Sequence, residues 1–396
     1  MNPDLDLLQA YPFEKLRQLF SGLQPPAQLP PINLGIGEPQ HPAPDFVVTE
    51  LTKHLPLLAK YPSTRGLPEL RQSIAAWLQR RFQLPAVDAE TQVLPVAGTR
   101  EALFAIAQAV CKRSDNPLVL CPNPFYQIYE GASLLAGARA CFLDCRSETG
   151  FLPDFDAVAE DTWESCQLLY ICTPGNPTGA VTPLPTLTRL VELAQQHDFI
   201  IASDECYSEI YCDEEQPPPG LLQACVAAGI DDYHNCVVFH SLSKRSNLPG
   251  LRSGFVAGDA AIMERFLLYR TYQGCALPLP TQWASVAAWS DEEHVRINRA
   301  LYREKFSAVL EILAGTLQLQ RPQAGFYLWP GTPVSDTEFA SGLYAQQHLT
   351  VLPGSFLGRD GGDGNPGEGR VRLALVVPLD QCIEAAQRIR RHCEAL

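Results

Sequence analysis

Five short apolar runs recur between residues 118 and 243, and amphipathic segments lie between them. The runs are LVLCP (118–122), ARACFLD (138–144), QLLYICTP (167–174), FIIASDE (199–205) and CVVFHSLS (236–243). Near-continuous apolar character over such short lengths marks strands buried on both faces, as inside a mostly parallel sheet covered by helices. The intervening segments have helical periodicity. In TREALFAIAQAVC (99–111), Leu103, Ile106, Ala107 and Val110 share one stripe, and Thr99 is placed to cap it; LPTLTRLVELAQQH (184–197) behaves likewise. Strand–helix alternation of this kind predicts an α/β unit over 46–285.

Beyond it, DEEHVRINRALYREKFSAVLEILAG (291–315) reads as a long charged helix. The strand candidates GFYLWP (325–330) and GRVRLALVV (369–377) follow, and a last helix begins near residue 380. This part, 286–396, together with residues 1–45, is expected to form a smaller α+β domain. A chain of 396 residues with 46% hydrophobic content is long enough for two such cores. The Gly-rich stretch GRDGGDGNPGEG (358–369) lies between strand candidates with no helix after it, so it reads as a turn rather than a phosphate loop.

The formal net charge of −14 speaks against nucleic acid or an anionic membrane as the main partner. The first twenty residues contain no long apolar stretch and read as neither a secretory nor a transit segment. The 13 cysteines show no CxxC pattern, and several, such as Cys121, Cys172 and Cys236, sit in apolar runs; free thiols in a reducing cytoplasm are expected. The eight histidines form no HExxH and no close pair, which argues against a metal site.

Chemistry-bearing residues cluster where the strand candidates end, the place where open α/β sheets present ligand-binding groups. Asp204 ends one run and Tyr207 follows it. Asn176 lies in TPGNPTGAV after another, and Tyr126 in NPFYQIYEGA after a third. Gly98 and Thr99, with Arg100 behind them, open a helix whose free N–H groups suit an anion. Lys244 stands between serines in HSLSKRSNLPGLRSGF, flanked by Ser241 and Ser243, with Arg252 eight residues on. Singly each has an ordinary structural reading as a turn, a cap or a solvated side chain. In series they are the inventory for holding pyridoxal 5′-phosphate (PLP): an amine for the aldehyde, an acid for the ring nitrogen, donors for the ring oxygen, an aromatic for the ring face, and N–H groups with cations for the phosphate.

NPTG, SDECY and SxSK in this order resemble the fold-type I, class I aminotransferases, over essentially the whole chain. The resemblance implies the aspartate-aminotransferase-like fold. It casts Lys244 as the lysine that holds the cofactor, Asp204 as the acid at the pyridine nitrogen, and Tyr207 and Asn176 as donors to the ring oxygen. Tyr126 becomes the stacking aromatic, and Gly98, Thr99, Arg100, Ser241, Ser243 and Arg252 the phosphate cup. KYPSTRGLPELR (60–71) resembles the segment whose tyrosine, here Tyr61, reaches the phosphate of the neighbouring subunit, which implies a homodimer with shared sites. NLGIGEP (33–39) sets Gly37 against the substrate carboxylate, and VRLAL supplies Arg372 as the arginine that grips it. An arginine suits a carboxylate because its planar fork binds in a bidentate manner.

The implied reaction moves an amino group from an amino acid to a 2-oxo acid in two stages, with Lys244 carrying the proton between Cα and the cofactor. SLSKRSNLPGLRSGF, CPNPFYQIYEGA and LPGSFLGRD look most like the succinyldiaminopimelate aminotransferases of bacterial lysine biosynthesis, which use 2-oxoglutarate as acceptor. Aspartate-, aromatic- or alanine-type aminotransferases and PLP-dependent C–S lyases remain alternatives, since the cofactor residues are common to all of them. A transcription regulator with an aminotransferase-like domain is disfavoured, because the resemblance begins near residue 33. TYQGCALPLPTQWA (271–284) contains no arginine, which argues against a tight clamp on a short distal carboxylate there. Arg65 and Arg245, close in sequence to Tyr61 and Lys244, are candidates for the far end of a longer substrate.

Overall fold

The computed structural model describes residues 2–396. Its strands in chain order are β1 (Ile32–Asn33), β2 (Val93–Val96), β3 (Leu118–Asn123), β4 (Arg139–Asp144), β5 (Cys166–Cys172), β6 (Ile200–Asp204), β7 (Cys236–Ser241), β8 (Gly254–Gly258), β9 (Tyr327–Leu328), β10 (Leu349–Thr350), β11 (Leu352–Pro353) and β12 (Val371–Ala374). The five apolar runs become β3 to β7 of one seven-stranded sheet with the order β2-β8-β7-β6-β5-β3-β4. All its pairings are parallel except the two made by β8. Side chains alternate across it. Leu118 and Leu120 join a cluster on one face with Trp77, Leu190 and Phe255, while Val119 and Cys121 join Leu103, Ile106 and Phe239 on the other. Burial on both faces explains why these runs lack a polar alternation.

Two strands of this sheet carry no clear signal in the sequence. β2 reads VLPV, and its proline lacks the N–H a central strand needs. The strand nevertheless forms because β2 lies at the sheet edge and pairs with β8 alone. β8 is only five residues long, with a glycine at each end. The two strand candidates beyond residue 320 are shorter than their apolar runs, shrinking to β9 and β12.

The helix after β2 runs Thr99–Val110, and its cap position is taken by Gly98 rather than Thr99. Gly98 has φ +89°, a conformation that a side chain would strain, and it lets the chain turn directly from strand to helix. Thr99 is freed from capping, and its hydroxyl meets the Cys206 Sγ at 3.1 Å. Leu103, Ile106 and Ala107 are buried as the stripe requires, while Val110 is half-buried.

The remaining strands build two small sheets. β1 pairs with β10 in parallel, and β12 lies between β11 and β9 in antiparallel pairing. Ile32 and Leu34 share a core with Phe306, Leu328, Leu349, Leu373 and Ile389, so the N-terminal segment packs with the C-terminal part of the chain. Helices Glu293–Leu313 and Leu379–Cys393 fall where the sequence pattern sets them. Residues 358–369 form a turn-rich loop without a following helix. The 13 cysteines are free thiols, and Cys121 and Cys236 are fully buried in the large sheet. Among the described residues no helix is long and apolar enough to cross a membrane.

Candidate active site

The parallel strands end at one edge, and registers align their last residues. Cys172 faces Asp204, Asp204 faces Phe239, and both Ser241 and Val96 face Gly254. The segments leaving these ends meet the small β11-β12-β9 sheet across a cavity of about 430 Å³. Gly37, Thr99, Arg100, Tyr126, Asn176, Asp204, Tyr207, Ser241, Ser243, Lys244, Arg252 and Arg372 all line it. Sequence separations of up to 335 residues (372 minus 37) are thus closed by the fold.

Lys244 sits in a one-turn helix, Leu242–Arg245, immediately after β7. Its Nζ donates to the Gly37 carbonyl at 2.6 Å. Burial lowers its pKa to about 8, and the nearby positive charges of Arg372 and Arg252 act in the same direction. Ser241 caps this turn, its Oγ accepting from the Ser243 N–H at 3.0 Å and donating to the Ser243 Oγ at 2.9 Å. Arg252 adopts φ +53° just before β8 and donates to the Pro249 carbonyl. A Cβ on residue 98 would crowd the Arg252 guanidinium, and the φ of +89° there favours glycine where the helix start meets this cation. Helix N–H groups, two serines, a threonine and an arginine therefore converge on one anion-sized hollow.

Asp204 is buried at the cavity floor. Its Oδ2 accepts from the Tyr129 hydroxyl at 2.7 Å and its Oδ1 from the Cys206 N–H at 3.3 Å. Burial pushes its pKa up, and among the described residues no basic side chain lies within ion-pair distance of it. A buried carboxylate without a cation is costly, so this position suits a cationic ligand group. Tyr126 lines the cavity edge-on to Tyr129, with ring centroids 6.0 Å apart. The Tyr207 hydroxyl lies 3.0 Å from that of Tyr327. Arg372, on β12, donates to the Asn176 Oδ1 at 3.0 Å and to the Gly35 carbonyl at 2.7 Å, its guanidinium 4.6 Å from the Tyr327 ring centroid. Its Nε–H is buried without a partner. A Cβ at Gly37 would collide with the Tyr327 hydroxyl, so the chain can pass there only as glycine.

Four sequence candidates lie outside the cavity lining: Gly98, which sits directly behind Thr99 against Arg252, and Tyr61, Arg65 and Arg245. Tyr61 is fully exposed. Arg65 is also exposed and donates to the Glu90 carbonyl at 2.8 Å. Arg245 is a correction: it is buried on the far side of the Lys244 turn. There it donates to the carbonyls of Ala288 and Asp291 and forms an ion pair with Glu292 at 2.7 Å. Successive residues on a helix point about 100° apart, so the neighbour of a cavity-facing lysine turns into the core. Tyr129 and Tyr327, with Tyr11 at the cavity wall, are site residues that sequence reasoning missed. Tyr129 carries a faint signal, three residues after Tyr126 on the same helical start. Tyr327 carries none, because it reaches the site only through the pairing of β9 with β12.

The model of the family "Aminotransferase class I and II" matches residues 30–389, and the chain belongs to that family. Its members depend on PLP, and the chain's lysine, uncompensated carboxylate and anion hollow fit that group. Among curated relatives, the LL-diaminopimelate aminotransferase of Nitratidesulfovibrio vulgaris is 33% identical over 367 residues, 91% of each chain. That of Aquifex aeolicus is 34% identical over 365 residues, 91% of this chain and 90% of its own. Among solved structures, an aminotransferase from Neisseria meningitidis superposes with a TM-score of 0.94 at 48% identity, covering 98% of this chain and 99% of its own. A probable N-succinyldiaminopimelate aminotransferase from Thermus thermophilus gives a TM-score of 0.84 at 28% identity, covering 96% of this chain and 100% of its own.

Proposed function

We propose that the chain transfers the amino group of N-succinyl-LL-2,6-diaminopimelate to 2-oxoglutarate, with Lys244 as the base that moves the Cα proton. PLP supplies an aldehyde for the amine and an electron-withdrawing ring. Lys244 would hold it, Asp204 would keep its nitrogen protonated, and Tyr207 and Asn176 would donate to its ring oxygen. Tyr126 would cover one face, and Gly98, Thr99, Ser241, Ser243 and Arg252 would bind the phosphate. The α-carboxylate of the donor pairs with Arg372, which keeps Cα beside the Lys244 amine, with Gly37 against the same carboxylate. An amine with pKa about 8 is a usable base near neutral pH, which an ordinary lysine is not. The large cofactor-binding unit spans 46–285 and the small unit 1–45 with 286–396. In a homodimer, the exposed Tyr61 reaches the partner's phosphate.

The observation that carries the choice of donor is the charge of the cavity. Of its charged lining residues, Arg100, Lys244, Arg252 and Arg372 are basic and Asp204 alone is acidic. Asp204 is committed to the ring nitrogen, so no lining carboxylate remains for a second ammonium. The far end of succinyldiaminopimelate carries carboxylates and a neutral amide, and it suits this lining. Free LL-diaminopimelate carries an ammonium there. The names of the relatives in N. vulgaris and A. aeolicus favour that second reading. The test is the rate at which each donor converts the PLP form, followed by absorbance, for succinyldiaminopimelate, LL-diaminopimelate, aspartate, alanine and phenylalanine. Faster conversion by LL-diaminopimelate than by its succinyl derivative rejects the first reading. No conversion by either diaminopimelate donor rejects both readings.

A further inference from the structure

We infer that Arg100 is the residue that binds the distal carboxylate of the donor, and that it is not part of the phosphate cup. The inference rests on the aminotransferase reading and adds a recognition site for amino acids whose side chain ends in an acid. Three arginines line the cavity. Arg252 packs on Gly98 at the anion hollow, and Arg372 is bound to Asn176 and Gly35. Arg100 belongs to neither group. Among the described residues its side chain makes one hydrogen bond, from Nη2 to the Tyr11 hydroxyl at 2.7 Å, and its guanidinium carbon stands 5.2 Å from the Tyr11 ring centroid and 6.0 Å from that of Tyr126. The side chain therefore reaches toward the segment ahead of the helix Pro12–Leu19, and none of the cup residues accepts a hydrogen bond from it.

Two physical points give this placement meaning. Arg100 is the second residue of its helix, where the dipole disfavours a cation; a phosphate in the cup would offset this, yet the side chain turns from the cup toward Tyr11. Among the described residues it has no carboxylate within 4.0 Å, unlike Arg71, Arg81, Arg245, Arg299 and Arg359, which all form ion pairs. A guanidinium has five N–H donors. One is used on Tyr11, and the aromatic ring beneath it holds its plane. The remaining donors are free for a carboxylate. The cup, by contrast, already has helix N–H groups, Ser241, Ser243 and Arg252. Tyr11 acts through Arg100 as a positioning residue.

The experiment compares wild type, Arg100→Gln and Tyr11→Phe in the donor half-reaction, which avoids the acidic acceptor 2-oxoglutarate. The donors are succinyldiaminopimelate, L-2-aminoadipate and the neutral L-norleucine, and the PLP dissociation constant is measured in parallel. For Arg100→Gln, the specificity constant for both acidic donors should fall roughly tenfold or more. That for norleucine and the affinity for PLP should stay within about twofold of wild type. Tyr11→Phe should raise KM for the acidic donors with kcat little changed. A uniform loss over all three donors, or a weakened hold on PLP, overturns the assignment and returns Arg100 to the cup. Equal use of acidic donors by wild type and Arg100→Gln also overturns it. If wild type prefers free LL-diaminopimelate, the donor proposed above is wrong, while the aminoadipate-to-norleucine ratio still decides the role of Arg100.

Discussion

Removing one oxygen atom, in Tyr129→Phe, tests the role proposed for Asp204 at a ring nitrogen. The carboxylate receives a short hydrogen bond from the Tyr129 hydroxyl at 2.7 Å and a long one from the Cys206 N–H at 3.3 Å, with the Cys206 thiol also against it. Burial pushes the Asp204 pKa up, and the Cys206 and Tyr129 side chains both favour the ionised form against it. A hydrogen bond to a charged group is worth about 1.5–3 kcal/mol. Without it the carboxylate is a stronger base and takes a larger share of the proton it shares with the ring. The ring nitrogen then carries less positive charge when electron density arrives from Cα. Only the part of the interaction that grows toward the transition state slows the reaction, so we expect a fall in kcat of roughly tenfold, with KM little changed. The fold should survive, because the phenyl ring keeps its stacking on Tyr170 (centroids 4.7 Å apart, 13° between planes) and the Tyr170 hydroxyl is anchored separately on the Leu103 carbonyl. The assay is single-turnover conversion of the PLP form by a good donor, with thermal unfolding of the same samples. A mutant with wild-type turnover and wild-type melting temperature refutes the reasoning.

The other predictions concern Lys244, Gly37 and Tyr61. Capture of added PLP by the apoprotein needs a proton-free Lys244, so its rate should rise with pH to a plateau with a midpoint at about 8; a midpoint near 10, the ordinary lysine value of about 10.4, contradicts the burial argument. Gly37→Ala drives a methyl group into the Tyr327 hydroxyl and disturbs the carbonyl that accepts from Lys244. Overpacking of this kind costs about 1–3 kcal/mol; kcat/KM should fall at least tenfold while the melting temperature drops by only a few degrees, and an unimpaired enzyme removes Gly37 from the site. Lys244→Ala should lose transamination, and mixing its subunits with Tyr61→Phe subunits should restore activity in hybrids that keep one undamaged site; hybrids no better than either parent argue against a Tyr61 shared across a dimer.

What the sequence made legible follows from what local order can specify. Each strand run ends where its apolar character stops, and the residue at that point lies at the sheet edge whatever the rest of the chain does. Asp204 and Ser241 are legible for this reason, as are Asn176 and Tyr126 in the turns that follow such ends. Contacts made across the fold leave no such trace. Tyr129 meets Asp204 over 75 residues, and Tyr327 meets Tyr207 over 120. Closeness in sequence also misleads on a helix. Lys244 faces the cavity while Arg245, the next residue, is buried against Ala288 and Glu292. Arg100 follows Thr99 directly, yet its side chain leaves the anion hollow for Tyr11.

The charge of the whole chain and the charge of its cavity have opposite signs, and the contrast bears on how Lys244 works. The protein is formally −14, yet three arginines and a lysine face a single aspartate in the cavity. An acidic surface repels anions at long range, but screening confines that repulsion to about 10 Å at ordinary ionic strength. Inside the cleft the local cations prevail, and both the cofactor phosphate and the substrate carboxylates are anions. The same cations help to lower the Lys244 pKa. An anion on Arg252 and a carboxylate on Arg372 would cancel part of that repulsion and move the Lys244 pKa back up. On the roles proposed above, seating a substrate carboxylate on Arg372 would raise the proton affinity of Lys244 and shrink its proton-free fraction, and the low starting value set by burial is what keeps the amine usable near neutral pH.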